Sequence, residues 1–178
     1  MNGSNGIGFD AVANTLKASP FRIENPALRV VLVEPQIPPN TGNIARLCAA
    51  TRCHLVLAGK LGFELTDSHL KRAGLDYWEY VSWEHQPDLE AFLASVQGER
   101  LHLLTRHASR SYTQIKPRHG DWLLFGKETT GLGRVLLDRF PEQWYTIPMM
   151  EPRVRSLNLS SAVAIVLYDA LDTLEALS

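Results

Sequence analysis

The sequence predicts an α/β domain in which helices cover both faces of a mainly parallel sheet. Short β-branched runs alternate with helical patterns along the chain, as crossover connections between parallel strands require. The 178 residues suffice for one domain with a full core, and 45% apolar with 21% charged residues is a usual globular mixture. The chain contains no internal repeat, which leaves one domain as the expected organisation.

The first predicted strand and helix flank a corner that contains two prolines. ALRVVLVEP at residues 27–35 is typical of a buried parallel strand. Pro38 and Pro39 then predict an irregular corner, because proline lacks a backbone N–H. After the corner, residues recur at helical spacing to give one inward face: Ile44, Leu47, Cys48 and Thr51. Arg46 falls on the polar flank of this helix.

The alternation continues to the end of the chain. Strands are predicted for CHLVLAG, WEYVSW, RLHLLTR, DWLLFG and QWYTIPM, and helices for TDSHLKRAG, PDLEAFLASVQ and LGRVLLDRF. The last helix, at about residues 159–176, carries two apolar stripes. One contains Ala164, Leu167, Tyr168, Leu171 and Leu174, and the other contains Val163, Val166 and Ala170. One stripe can cover the sheet, so the second indicates either a deeply buried helix or a subunit interface.

The ends of the chain and its apolar runs predict location and domain bounds. No apolar run approaches the roughly 18 residues that span a bilayer. MNGSNGIGFD lacks the basic start and apolar centre of a signal peptide, which predicts a cytoplasmic protein without a membrane partner. Residues 1–26 show no sustained period, so we expect a loosely ordered leader before a single domain at residues 27–178.

Charge and cysteine content exclude several classes of function. The net charge of −1 argues against a protein that coats nucleic acid indiscriminately. Residues 100–120, however, carry five Lys or Arg, three His and no acidic residue. Such a segment is typical of a local polyanion contact, and equally of a solvated surface. Cys48 and Cys53 are the only cysteines and are expected to be reduced and buried, with no metal site.

The segment GKETTGLG at residues 126–133 follows a predicted strand and invites comparison with nucleotide loops. A P-loop requires Lys-Ser/Thr where Leu132 and Gly133 stand, and a dinucleotide fingerprint requires glycine where Leu136 stands. Both motifs therefore fail. A glycine-bounded loop remains at the carboxyl end of a strand, which predicts either a ligand site or a structural turn.

A third polar segment precedes the last helix. Its small polar residues are more numerous than one helix cap requires: Ser156, Asn158, Ser160 and Ser161. Directly after Arg153 and Arg155, the surplus could bind a ligand such as phosphate through side chains and free helix-start amides. None of the six histidines has metal-ligand spacing or a neighbouring nucleophile, which disfavours hydrolases and metalloenzymes.

In their order and spacing, PPNTGNIARL, FGKETTGLG, and IPM followed by RSLNLS resemble the three motifs of the SPOUT ribose methyltransferases. The resemblance extends from residue 27 to about residue 174. Within that superfamily, EPQIPPNTGNIARLCAAT and KRAGLDYWEY are similar to the TrmL-type tRNA wobble-position 2′-O-methyltransferases. Lys127 and Thr130 depart from the common pattern, since they stand where Pro and Arg are often found.

This resemblance implies a C-terminal trefoil knot and a homodimer with its active site near the interface. It also implies S-adenosylmethionine as cofactor and tRNA as partner. The matched cofactor contacts are Leu104, Gly126, Ile147 and Ser156. The matched catalytic set is Asn40, Arg46, Glu128 and Asn158. We add a set of expected phosphate contacts from charge: Arg106, Arg110, Lys116, Arg118, Arg153 and Arg155.

The activity implied is methylation of the ribose 2′-hydroxyl of the wobble cytidine or uridine in the anticodon. Because a guanidinium stays protonated, Arg46 is expected to bind a phosphate beside the target ribose and not to accept a proton. One alternative is methylation of another tRNA or rRNA ribose. Another is a non-catalytic RNA-binding or cofactor-sensing protein, which the presence of all matched polar residues disfavours.

Overall fold

The structure is a computed structural model of the chain, and it describes residues 18–65 and 78–177. Its elements in chain order are β1 Leu28–Val33, α1 Pro38–Thr51, β2 His54–Ala58, β3 Trp83–Gln86, α2 Leu89–Ser95, β4 Leu101–Leu104, β5 Asp121–Phe125, α3 Arg134–Arg139, β6 Trp144–Tyr145 and α4 Leu159–Thr173. Within the described residues, the strands form one parallel sheet in the order β3-β2-β1-β5-β4-β6. The predicted α/β class is confirmed.

Alternate residues of the strands bury opposite faces of the sheet. Val30 and Leu32 of β1 pack in a core with residues of α1 and α4. Val31 and Val33 pack on the other face with residues of α2 and α3. Each such side chain contributes about 1.5–3 kcal/mol when it is removed from water. Helices therefore cover both faces, as the alternation of elements predicts.

Helix α1 begins at Pro38, so the predicted irregular corner is wrong. Pro38 and Pro39 occupy the first turn, where the missing N–H of proline would have no intrahelical partner anyway. The preceding residue, Ile37, is extended and supplies no side-chain cap. The next two backbone N–H groups, those of Asn40 and Thr41, donate to the carbonyl of Ile37 at 3.1 and 3.3 Å.

The other disagreements lie near the edges of the sheet. WEYVSW was expected to be a strand, but Trp78–Tyr80 forms a 3-10 turn and β3 begins only at Trp83. Of QWYTIPM, only Trp144–Tyr145 pairs as a strand. An edge strand is bonded on one side, so its sequence is less constrained than that of a central strand. The predicted helix TDSHLKRAG and most of KRAGLDYWEY lie outside the described residues.

Helix α4 packs against the sheet with residues from both predicted stripes. The buried set is Val163, Val166, Leu167, Ala170 and Leu171. Val163, Val166 and Ala170 therefore face the core and do not form a separate partner surface, because the two stripes are neighbours on the helix. The apolar side chains left exposed are Ile165 at 37% and Tyr168 at 42%.

Part of the predicted leader is bonded to the outer edge of β3. The backbone N–H of Ser19 donates to the carbonyl of Trp83 at 2.9 Å, and that of Ile23 donates to the Ser82 hydroxyl at 3.1 Å. Residues 1–17 lie outside the described part of the chain. The boundary between leader and domain remains a prediction.

Three observations concern membrane spans, metal sites and the two cysteines, which the composition was used to assess. No helix among the described residues is long and apolar enough to cross a membrane. Residues 18–65 and 78–177 contain no group of three or more His, Cys, Asp or Glu that could hold a metal ion. Cys48 and Cys53 are buried free thiols, as predicted, and burial raises the pKa of both.

Candidate functional site

A cavity of about 580 Å³ lies at the carboxyl ends of β4, β5 and β6. Its walls come from the segments that follow these strands and from the start of α4. The four predicted cofactor contacts all line it: Leu104, Gly126, Ile147 and Ser156. This volume is usual for a small-molecule site, and the carboxyl end of a parallel sheet is where such ligands bind.

The loop after β5 folds directly onto Gly126. A Cβ on Gly126 would lie 2.0 Å from the carbonyl carbon of Gly131 and 2.1 Å from the amide nitrogen of Leu132. The N–H of Gly131 donates to the carbonyl of Lys127 at 2.8 Å, which closes the turn. Glycine is required at position 126, because any side chain would displace this wall of the cavity.

Asn40 joins two polar side chains that are distant in the chain. Its Nδ2 donates to Glu128 Oε1 at 3.0 Å, and its Oδ1 accepts from Asn158 Nδ2 at 2.9 Å. The orientation of the Asn40 amide follows from Glu128, since an ionised carboxylate can only accept. The structure thus brings three of the four predicted catalytic residues into one hydrogen-bonded chain beside the cavity.

Glu128 also holds the connection that leads into α1. Its Oε2 accepts from the backbone N–H of Gln36 at 2.9 Å, and its Oε1 accepts from that of Ile37 at 3.1 Å. A negative charge beside the amino end of a helix is favourable, because the first N–H groups carry a partial positive charge. Glu128 therefore fixes both the start of α1 and the side chain of Asn40.

Asn158 caps the amino end of α4. Its Oδ1 accepts from the N–H of Ser160 at 2.9 Å, from the Ser160 hydroxyl at 2.7 Å and from the N–H of Ser161 at 3.4 Å. These helix-start amides are therefore already partnered, which contradicts the expectation that they are free for a ligand. Ser156 lines the cavity instead.

Arg46, the fourth predicted catalytic residue, lies in a separate groove between α1 and α4. The groove is lined by Asn43, Arg46, Leu47, Ala50, Ser160, Ser161 and Ala164. Six residues of helix separate Arg46 from Asn40, which amounts to about 9 Å along the axis and about 240° around it. The two side chains therefore leave α1 in different directions, and the structure does not bring Arg46 to the cavity of its own chain.

The predicted phosphate contacts do not form one surface. Arg106 and Arg155 line the cavity. Arg110 lies over the ring of Tyr145, 4.7 Å from its centroid, and donates to the carbonyl of Glu142. Arg153 binds both carboxylate oxygens of Glu151, at 2.8 and 3.0 Å, on an exposed loop.

Lys116 and Arg118 lie at the opposite end of the sheet. The N–H of Arg118 donates to Asp121, the first residue of β5, at 2.9 Å. The carbonyl of Lys116 accepts from the guanidinium of Arg100, which directly precedes β4, at 2.9 Å. These two residues are thus separated from the cavity by about the length of a strand, roughly 16 Å.

Asp121 forms a buried polar cluster that the sequence analysis missed. It accepts from His102 Nε2 at 2.8 Å and from Arg100 Nε at 3.0 Å, and its residue is 3% exposed. Burial is the main influence on the pKa of His102 and lowers it, while the carboxylate of Asp121 acts in the opposite direction. A histidine inside the apolar strand LHLL was the available signal.

An ion pair beside the cavity was not predicted from the sequence. Lys127 Nζ lies 2.7 Å from Glu34 Oε2, and the two residues are 93 positions apart. Glu34 immediately follows β1 and has φ 50, a left-handed conformation that is uncommon for a residue with a side chain. No local pattern in the sequence indicates such a long-range pair.

Comparisons with known proteins show which family and fold the chain resembles. Residues 27–168 match the SpoU rRNA Methylase family. A relative from Methylovorus glucosotrophus, named tRNA (cytidine(34)-2′-O)-methyltransferase, is 48% identical over 142 residues, which cover 79% of this chain and 92% of the relative. A solved structure described as "Structural insights into the 2-OH methylation of C/U34 on tRNA" is 42% identical with a TM-score of 0.78, covering 84% of this chain and 97% of its own.

A more distant solved structure shares the fold. It is the SpoU methyltransferase AviRb from Streptomyces viridochromogenes in complex with AdoMet, with 21% identity and a TM-score of 0.74. The match covers 86% of this chain and 63% of that one.

Proposed function

The chain belongs to the SpoU rRNA methylase family, and we propose that it transfers a methyl group from S-adenosylmethionine to the ribose 2′-hydroxyl of nucleotide 34 in tRNA. Relatives at this level of identity carry that activity in their names, and they are matched over most of their length. The wobble cytidine or uridine in the anticodon is the substrate that these names and the motif wording support.

The observation that carries the proposal is the meeting, at one cavity, of three segments that are distant in the chain. Asn40 hydrogen-bonds both Glu128 and Asn158, and these three residues line the space together with the predicted cofactor contacts. Holding two reactants in the correct geometry can supply about 7–11 kcal/mol of a reaction barrier. A site built from such a network suits a transfer that depends mainly on alignment.

The residues present fit S-adenosylmethionine. The side chains of Leu104, Phe125, Ile147 and Leu159 give the cavity an apolar wall, and the close-packed turn at Gly126 leaves backbone groups within reach of a ligand. Leu104, Gly126, Ile147 and Ser156 would hold the cofactor, which supplies an electrophilic methyl group. The fold relative AviRb, crystallised with AdoMet, supports the same choice.

Glu128 and Asn158 have positioning roles in this proposal. With three donors on its carboxylate, Glu128 anchors α1 and orients the Asn40 amide. Asn158 holds the other end of that amide and the start of α4. The ribose would then be received beside Asn40, between the two loops.

We further propose a homodimer that completes the site with Arg46. The groove around Arg46 has an apolar floor of Leu47, Ala50 and Ala164, and the neighbouring helix exposes Ile165 and Tyr168. An apolar surface of this kind suits a second copy of the chain. Arg46 would grip a tRNA phosphate from that interface, where its planar fork can bind two oxygens.

The C-terminal trefoil knot is also proposed from the family resemblance. Near the cavity, two segments of the chain run side by side. The N–H of Thr146 donates to the carbonyl of Arg110, and the N–H of Tyr112 donates to the carbonyl of Thr146, both at 2.8 Å. Helix α4 then returns across the sheet to pack against α1.

The basic residues are proposed to position tRNA through its phosphates. Arg106 and Arg155 are the nearest to the cavity, and Arg110 and Arg153 lie on the adjoining loops. Lys116 and Arg118 would contact a more distant part of the tRNA. A cytoplasmic location and a loosely ordered leader at residues 1–26 remain predictions from the sequence.

One assay tests the function. Purified protein is incubated with bulk tRNA and methyl-labelled S-adenosylmethionine, and the labelled nucleotide is mapped. We expect 2′-O-methylation at nucleotide 34. Label at another ribose would favour the alternative substrate, and tRNA binding without any label would favour a non-catalytic protein. Arg139→Met serves as a control protein that should behave like wild type in this assay, because its ion pair with Glu90 joins two helices on the face of the sheet opposite α1 and α4.

A further inference from the structure

We propose that the ion pair between Lys127 and Glu34 is a positioning element for methyl transfer. It would hold the loop that carries Glu128 against the connection between β1 and α1. This inference rests on the proposed function, because its effect is expected on the turnover of that reaction.

The ion pair lies next to the contacts that build the site. Lys127 immediately precedes Glu128, and Glu34 lies two residues before Gln36. The N–H of Gln36 donates to Glu128. The Lys127–Glu34 pair at 2.7 Å and the three hydrogen bonds of Glu128 therefore form one junction between two loops. The junction ends at Asn40, the residue that links both loops to α4.

Glu34 offers Lys127 a firmly held partner. Its N–H donates to the carbonyl of Ala58 at 2.7 Å, and its carbonyl accepts from the side chain of Gln36 at 2.6 Å. A Cβ on Gly59 would lie only 2.8 Å from Cγ of Glu34, so the side chain is closely packed at its base. The carboxylate is thereby directed toward Lys127 by contacts that do not involve the cavity.

The loop on the other side of the pair depends on fewer anchors. Residues 127–131 turn back on Gly126, and Thr129, Thr130 and Gly131 are exposed. Lys127 and Glu128 are the two side chains through which this turn is seen to reach the β1–α1 connection. Loss of the ion pair would therefore loosen Glu128 before it disturbs the core.

A positioning role predicts a small and specific effect. The side chains of Lys127 and Glu34 are 31% and 30% exposed, and partly exposed ion pairs contribute little to global stability. A slight displacement of Asn40, in contrast, lowers the fraction of bound substrate in a reactive geometry. We expect kcat to fall about two- to fivefold while KM for both substrates stays within about twofold.

The test uses Lys127→Met, Glu34→Gln and the charge-swapped double variant Glu34→Lys with Lys127→Glu. The matched control is Arg139→Met, which removes the ion pair with Glu90 and whose side chain is also 31% exposed. Each protein is assayed for kcat and for KM with S-adenosylmethionine and tRNA. Amide exchange of the Gln36 and Ile37 N–H groups is measured in parallel, since Glu128 accepts from both.

The proposal expects both single variants to lose kcat, the swapped pair to regain it within about twofold of wild type, and the control to remain unchanged. It also expects faster exchange at Gln36 and Ile37 in the single variants. Unchanged kcat in the single variants, a swapped pair as slow as they are, or a change confined to KM would overturn it. If the wild-type protein transfers no methyl group, the proposed function fails. The junction is still tested in that case, because unchanged amide exchange at Gln36 and Ile37 in the single variants would contradict it.

Discussion

Each end of the parallel sheet holds one carboxylate that accepts hydrogen bonds from three residues. At the amino end, Asp121 accepts from Arg100, His102 and the N–H of Arg118. Beyond the carboxyl end, Glu128 accepts from Asn40 and from the N–H groups of Gln36 and Ile37. The partners of Asp121 include two ionisable side chains, whereas all three partners of Glu128 are neutral.

The two carboxylates also differ in their surroundings. Asp121 is 3% exposed beneath packed side chains, while Glu128 lines the cavity. A buried carboxylate paired with Arg100 is costly to disturb, so the amino end contributes mainly to stability. Neutral amide groups that line a cavity can bind a ligand, and no salt bridge has to be broken for them to do so. The carboxyl end is therefore the one suited to chemistry, although both ends are equally rich in polar contacts.

The largest expected effect is on stability at the amino end. Asp121→Asn should lower the free energy of unfolding by about 3 kcal/mol, because the amide places an NH₂ group in a buried position where the carboxylate accepts from His102, Arg100 and the N–H of Arg118. Urea unfolding measures the change, and methyl transfer per folded molecule should match wild type. A variant that unfolds normally but transfers slowly would break the comparison between the two ends.

At the carboxyl end, Glu128→Gln should lower kcat about 100-fold, equivalent to about 2.7 kcal/mol. The substituted amide keeps one accepting oxygen and turns its NH₂ group toward the donors on the other side, so either the N–H of Gln36 or both Asn40 and the N–H of Ile37 lose their acceptor. Steady-state kinetics measure the loss, and urea unfolding should show a smaller change than Asp121→Asn. Turnover near wild type would remove Glu128 from the site.

A pair of helix caps sharpens the comparison further. Asn158→Asp keeps an acceptor for the first turn of α4 but cannot donate to Asn40, so kcat should fall about tenfold with stability nearly unchanged. The matched control is Asp88→Ala, which removes the cap of α2 and does not line the cavity. It should lower the unfolding free energy by about 1 kcal/mol and leave turnover intact. Normal turnover with lower stability in Asn158→Asp, or slow turnover with normal stability in Asp88→Ala, would contradict the proposed roles of the two ends.

The sequence predicts the elements better than it predicts their junctions. The β-branched run around Val30 and Val31 indicates a strand because a central parallel strand is buried on both faces. The start of α1 was predicted wrongly because proline usually indicates a break in a helix. The structure shows that Pro38 occupies the first turn, where a backbone N–H is not needed for an intrahelical hydrogen bond. Local sequence patterns reflect local geometry. They therefore predict that a strand or helix exists, but they place its first and last residues less accurately.

The site divides in the same way. Asn40, Glu128 and Asn158 are grouped by resemblance to a family, and nothing in their spacing along the chain places Glu128 and Asn158 within 3.0 Å of Asn40. The pairs Lys127–Glu34 and His102–Asp121 match no motif and were not anticipated. Contacts between residues this far apart depend on the register of the strands that carry them, which a single sequence does not specify.

The smallest expected effect is a pH dependence confined to the amino end. In the folded protein, burial lowers the pKa of His102 from its ordinary value of 6.5. A proton on its Nδ1 would find no acceptor among the described residues, since that buried nitrogen has no partner there. The unfolded chain therefore binds this proton more readily than the folded one. Stability is complete above pH 6.5 and falls as the pH drops toward the folded pKa.

His102→Gln should remove this dependence while retaining a donor to Asp121. Unfolding free energies at pH 7.5 and 5.5 should therefore differ less in the variant than in the wild-type protein. Turnover measured on folded enzyme should not follow the same titration, because His102 lies among buried side chains at the far end of β4 from the cavity. An equal loss of stability in both proteins would place the titrating group outside this cluster, and the amino end would then lose its assignment as the acid-sensitive part of the fold.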